Sequence, residues 1–128
     1  MRGENRLHPR LLVHMPGEFR PRGVELWAPC TIRDLSAGGA TLLTTERIPV
    51  QTSVRLRFTL EEEPESAGPI EVETLVLRSG TELAAGGNVR HLAALHFLDL
   101  QGHRFERVRR YVFERQGKRA TGAMGPAL

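Results

Sequence analysis

Thr52-Ser-Val-Arg-Leu-Arg-Phe-Thr-Leu60 is the stretch on which the reading of the whole chain turns. Val54, Leu56, Phe58 and Leu60 fall on one side of an extended backbone, with Ser53, Arg55, Arg57 and Thr59 on the other. Successive side chains of a strand point to opposite faces, so this alternation predicts a half-buried strand of an antiparallel sheet. Arg55 and Arg57 read as its solvated face.

Outward from it, similar segments recur at hairpin spacing. Upstream, residues 40–45 and 24–35 read as strands, with Trp27 and Cys30 as packing residues. Residues 20–23 read as a turn. Residues 11–19 form a first strand, weakened where Pro16 has no N–H for a ladder. Downstream, residues 61–69 form an acidic loop expected to be solvated, because adjacent carboxylates rarely converge on one ion. Residues 70–78 are a fifth strand whose phase changes near Thr74. Residues 79–89 are a hairpin loop, and residues 90–97 a sixth strand.

The period then changes. Over residues 98–116, Phe105, Val108 and Val112 recur at helical spacing with Tyr111 beside them, while Arg104, Arg107, Arg109, Arg110 and Arg115 cover the remainder. This predicts an amphipathic helix capping a core, ended by Gly117 and followed by a disordered tail over residues 117–128. Six short strands and one helix describe a mainly all-β fold, a six-stranded antiparallel barrel with a C-terminal capping α-helix.

Composition agrees with one soluble domain. The 128 residues suit a single core, and 40% hydrophobic content is ordinary for one. Cys30 is the only cysteine, so no intrachain disulfide forms. No apolar run approaches the roughly 18 residues of a membrane span, and residues 1–10 lack a signal-type apolar core, so a cytoplasmic protein without membrane insertion is expected. The net charge of +3 rests on arginine, with Lys118 the only lysine. Arginine forks suit phosphate and guanine, although codon bias produces the same excess.

Two stretches carry polar chemistry. Asp34-Leu-Ser-Ala-Gly-Gly-Ala-Thr-Leu-Leu-Thr44 joins two strands through a corner that offers a carboxylate, a hydroxyl and bare backbone N–H groups. Gly38 and Gly39 supply the freedom of a tight turn. Arg6-Leu-His-Pro-Arg10 lies upstream. Pro9 biases His8 toward extended geometry, and residues four apart on an extended chain share a face about 13 Å apart, within reach of two converging arginine arms. Enzyme chemistry has no such support. The five histidines are scattered, Cys30 has no companion ligand, Ser36 sits in no nucleophile elbow, and no phosphate-binding loop appears. The chain reads as a binder without metal or cofactor.

Arg6-x-x-x-Arg10 followed by Asp34-x-Ser36-x-x-Gly39 resembles the paired signature of PilZ domains, bacterial receptors for cyclic di-GMP built on a six-stranded barrel. Residues 39–44 are similar to the family's third strand, and Phe97-Leu-Asp-Leu100 to its closing strand and helix start. The resemblance covers residues 6–116, after a flexible leader over residues 1–5. It implies that Arg6 and Arg10 grip guanine and phosphate, that Asp34 and Ser36 read the base, and that Gly38 and Gly39 leave room at the ligand. Bidentate arginine to guanine is worth about 1–3 kcal/mol of discrimination. It also implies a leader that orders around the ligand and an unidentified effector protein in motility, pilus or exopolysaccharide control. Asn5, Gln51 and Ala94 depart from the pattern, standing where relatives often have a basic residue, a turn glycine and a strand glycine. Two other readings remain: an interaction module of the same fold that binds no nucleotide, and a nucleic-acid-binding barrel. The second lacks an aromatic stacking platform, with aromatics only 5% of residues.

Overall fold

The computed structural model describes residues 8–124, with side chains to residue 117. Six strands, β1 (Leu11–Pro21), β2 (Ala28–Leu35), β3 (Gly39–Thr44), β4 (Ser53–Phe58), β5 (Ile70–Leu83) and β6 (Val89–Phe97), precede one helix, α1 (Gly102–Met124). Every pairing is antiparallel, in the order β1-β2-β3-β6-β5-β4. β4 pairs back onto β1, with Glu18 opposite Arg57 and Pro21 opposite Val54, so the sheet closes on itself. No helix among the described residues is long and apolar enough to cross a membrane.

The alternation in residues 52–60 holds: Val54, Leu56, Phe58 and Leu60 are buried, together with Ile32, Leu42, Ile70, Val72 and Val76 from neighbouring strands. Each such aliphatic side chain contributes about 1.5–3 kcal/mol when removed from water. Val108, Tyr111 and Val112 of α1 complete this core from outside the sheet. Their spacing on one helical face explains why α1 lies where it does.

Several expectations need correction. β2 starts at Ala28 because residues 24–26 have no partner strand: Gly23 turns the chain at φ 85° and Val24 and Leu26 are exposed. Trp27 is half-buried beneath two guanidinium groups, with Arg57 at 4.0 Å and Arg20 at 5.1 Å from the ring centre. Arg55 and Arg57 are not merely solvated; they bridge strands through Glu71, Glu73 and Glu18. β5 keeps its phase through Thr74, whose hydroxyl donates to Val54 O at 2.9 Å and so has a partner at its core position. The irregularity falls instead between Val76 and Arg78. Beyond it β5 runs on to Leu83, so most of the expected loop is ladder.

The helix also differs. It starts at Gly102 rather than Leu98, and it passes through Gly117 to Met124. An interior glycine costs a helix only about 1 kcal/mol relative to alanine, and no proline intervenes before Pro126. The expected tail therefore begins in helix, and residues 125–128 lie outside the described residues. Arg107 is a buried member of α1 rather than part of its solvated side. It reaches the acidic loop, which is accordingly docked: Arg107 donates to Glu63 and to Gly68 O, while Arg115 pairs with Glu61 and Glu62. Gln51, in place of a turn glycine, adopts the left-handed conformation at φ 76° and donates its N–H to Val76 O.

Candidate functional site

Asp34 comes near the end of β2, opposite Leu12 on β1 and Thr41 on β3. The β2–β3 register slips between Ile32 and Asp34, leaving Arg33 exposed while Asp34 and Leu35 are both buried. A bulge of this kind re-aims side chains, and here it sets a carboxylate at a protected position. Arg10 lies just before β1, its carbonyl held by the Gln116 side-chain amide at 3.0 Å. Its Nε lies 3.6 Å from Asp34 Oδ1. That is an ion-pair distance but too long for a hydrogen bond. Asp34 Oδ1 is inaccessible to solvent and has no hydrogen-bond partner among the described residues. A carboxylate oxygen in that state forgoes about 1–3 kcal/mol of hydrogen bonding.

The corner after β2 is built by Ser36. Its hydroxyl oxygen accepts the N–H groups of both Gly38 and Gly39 at 3.1 Å, and its own N–H donates to Gly39 O at 2.9 Å. Thus the backbone donors expected to be bare are turned onto Ser36. Gly38 O accepts from Phe97 N–H at 2.9 Å, which ties the corner to β6. The lack of a side chain at Gly39 has its reason in the sheet: a Cβ there would lie 2.2 Å from Leu95 O. At Gly38 a Cβ would meet the His8 ring at 2.9 Å. His8 in turn packs edge-on against Phe105 of α1, with ring centres 5.6 Å apart.

Arg10, Asp34, Ser36, Gly38 and Gly39 therefore gather where the start of β1, the β2–β3 corner and α1 meet. Arg6 and the expected leader lie outside the described residues. Sequence reasoning gave no site role to the residues that wall this region. His8, Pro9, Ala37, Arg109, Val112 and Phe113 line a cavity of about 300 Å³. Phe113 is 68% exposed, an aromatic on the polar side of an amphipathic helix and the one signal that singles it out. Larger clefts, of about 420 and 650 Å³, lie beside the acidic loop and beside residues 20–25, away from these groups.

A family model for the PilZ domain matches residues 4–114. The chain belongs to the PilZ domain family. Among solved structures, the PilZ domain of YcgR from Escherichia coli, determined with c-di-GMP, aligns with a TM-score of 0.66 at 12% identity, over 92% of this chain and 98% of that one. The PilZ domain of CeSA from a cellulose-synthesizing bacterium aligns with a TM-score of 0.57 at 19% identity, over 84% and 98%. The PlzA protein of Borreliella burgdorferi, in complex with c-di-GMP, aligns with a TM-score of 0.59 at 14% identity. Its alignment covers 91% of this chain and 53% of PlzA, so the PilZ chain spans about half of that protein. No curated protein gives a match. At these identities the structural likeness speaks for the PilZ fold alone.

Proposed function

We propose that this PilZ domain is a cytoplasmic receptor for cyclic di-GMP that relays the signal to an effector protein. The observation that carries the reading is Asp34 Oδ1, buried and without a hydrogen-bond partner beside the Arg10 guanidinium. A guanine edge answers that need, because N1–H and N2–H donate side by side to a carboxylate. The Arg10 guanidinium has no other partner among the described residues, and its remaining N–H groups suit phosphate or guanine O6 and N7. Arg6 is the second arginine of this grip. Ser36, with the Gly38 and Gly39 backbone, holds the corner rigid against the nucleotide. Phe113 offers an aromatic face to a purine in the adjoining cavity. The c-di-GMP complexes of YcgR and PlzA on the same fold support the choice of ligand.

Calorimetric titration at low salt tests this, with GTP and cyclic di-AMP as controls. The expected outcome is selective binding of cyclic di-GMP, weakened about 100-fold or more, some 2.7 kcal/mol, by Arg10→Ala. A wild-type chain that binds no cyclic di-GMP overturns it.

A further inference from the structure

The outer half of β5 is an open edge. On the β4 side, pairing with β5 ends at Val76, which donates its N–H to Thr52 O and accepts from Gln51 N–H, and the Ser79 hydroxyl donates to Ile48 O. No backbone partner lies on that side beyond Val76 among the described residues, whereas β5 continues to Leu83 with β6 on its other side. Ala84 N–H donates to Asn88 O across the hairpin at 2.6 Å. Counting back in twos, Glu82 and Gly80 turn their backbone groups toward β6, and Ser79, Thr81 and Leu83 turn theirs outward. Leu77 and Leu83 on this edge are 51% and 74% exposed.

The sequence of the edge, Leu77-Arg-Ser-Gly-Thr-Glu-Leu83, is symmetric in chemical character about Gly80. We propose that β5 pairs antiparallel with β5 of a second copy of this chain, on a two-fold axis at Gly80. Leu77 then faces Leu83 of the other copy, Arg78 faces Glu82, and Ser79 faces Thr81, each contact occurring twice. An isologous interface requires this self-complementarity. Ser79 and Thr81, whose backbone groups point outward, become the hydrogen-bonded pairs, and Gly80 meets Gly80 at the close, non-hydrogen-bonded position. Edge charges usually repel an added strand. Here they are opposite in sign and symmetrically placed, so they select a copy of the same edge. Arg78 has no ion pair among the described residues, while Glu82 is held on the outer face by Arg33. A Cβ added at Gly80 meets nothing within 4 Å, so the centre of the edge is accessible.

Sedimentation of the full chain, free of nucleotide, tests the interface. The wild type is expected to be dimeric. Arg78→Glu weakens the dimer at least 10-fold by setting like charges opposite each other, and the Arg78→Glu/Glu82→Arg double variant restores it. Thr81→Pro removes an outward N–H without touching the β6 ladder, and gives a folded monomer by circular dichroism. Gly80→Cys supplies a register-specific readout, because close antiparallel pairs sit about 4.5 Å apart at Cα, within disulfide range. Mild oxidation should link it into covalent dimers. The native chain should not link, since burial pushes the Cys30 thiol up to about 12 and keeps it protonated. A wild type that remains monomeric up to about 1 mM overturns the proposal. So does a Thr81→Pro variant that remains dimeric, or a Gly80→Cys variant that does not crosslink.

Discussion

Arg107 meets Glu63 at 2.6 Å through Nη2 and at 3.1 Å through Nε, and adds a bond to Gly68 O at 2.7 Å. Arg10 meets Asp34 only at 3.6 Å, and leaves Oδ1 of that carboxylate buried and unbonded. Both are arginine–carboxylate pairs between distant segments, yet only the first is complete. Arg107 fastens the acidic loop to α1, and its donors are satisfied within the protein. Asp34 keeps bonding capacity unused in a position shielded from water, and the half-buried Arg10 guanidinium leaves donors unused beside it. A pair that stabilises a fold is closed; on the proposed function, the open Arg10–Asp34 pair is the one a ligand completes, at a cost carried by the free protein.

Substitutions can break or sharpen this contrast, taken here from the largest expected effect on stability to the smallest, read by urea denaturation. Gly39→Ala belongs to the scaffold that holds the open pair, and its Cβ would lie 2.2 Å from Leu95 O. With backbone on both sides of that clash, a loss of about 3 kcal/mol or more is expected. Arg107→Ala should lose about 2–3 kcal/mol, below the full figure for a buried pair because the Glu63 side chain remains 23% exposed and can turn to water. Cyclic di-GMP affinity of the folded fraction should stay unchanged; if it falls, the closed pair is not merely structural.

Ser36→Ala removes the acceptor of two backbone N–H groups and should cost about 1–2 kcal/mol. Asp34→Asn has the opposite sign. Replacing a buried carboxylate whose Oδ1 has no hydrogen bond by a neutral amide should stabilise the free protein by about 0.5–1 kcal/mol, while cyclic di-GMP binding is lost. A destabilised Asp34→Asn protein would mean that the pair with Arg10 is structural after all. Arg10→Ala should move stability by no more than about 0.5 kcal/mol, since the side chain is 32% exposed and makes one long contact. Its expected effect is on cyclic di-GMP binding.

Local patterns made much of this molecule legible. The alternation of Val54, Leu56 and Phe58 and the helical spacing of Val108 and Val112 named core positions that are buried. Strand limits were less legible where pairing extends an element. Residues 79–83 carry Ser, Gly and Thr and read as loop, yet β6 continues beside them and keeps them in the ladder. Arg107 read as solvated because its residue type is usually exposed, and only a docked loop supplies the carboxylate that allows its burial. The corner at Ser36–Gly39 was visible as a turn, but its hydroxyl cap and the contact that forbids a side chain at Gly39 were not.

By itself the sequence determined the PilZ membership, the six strands and the helix, and part of the core. The membership rests on the two spaced motifs, and the elements and core positions follow from backbone preference and side-chain period, which act over a few neighbouring residues. Only the tertiary structure decided that the Arg107 guanidinium is hydrogen-bonded and that of Arg10 is not, that Leu95 O closes over Gly39, and that β5 ends in an open edge. Each depends on which distant segments meet and on how completely their polar groups are removed from water, quantities that no local pattern encodes.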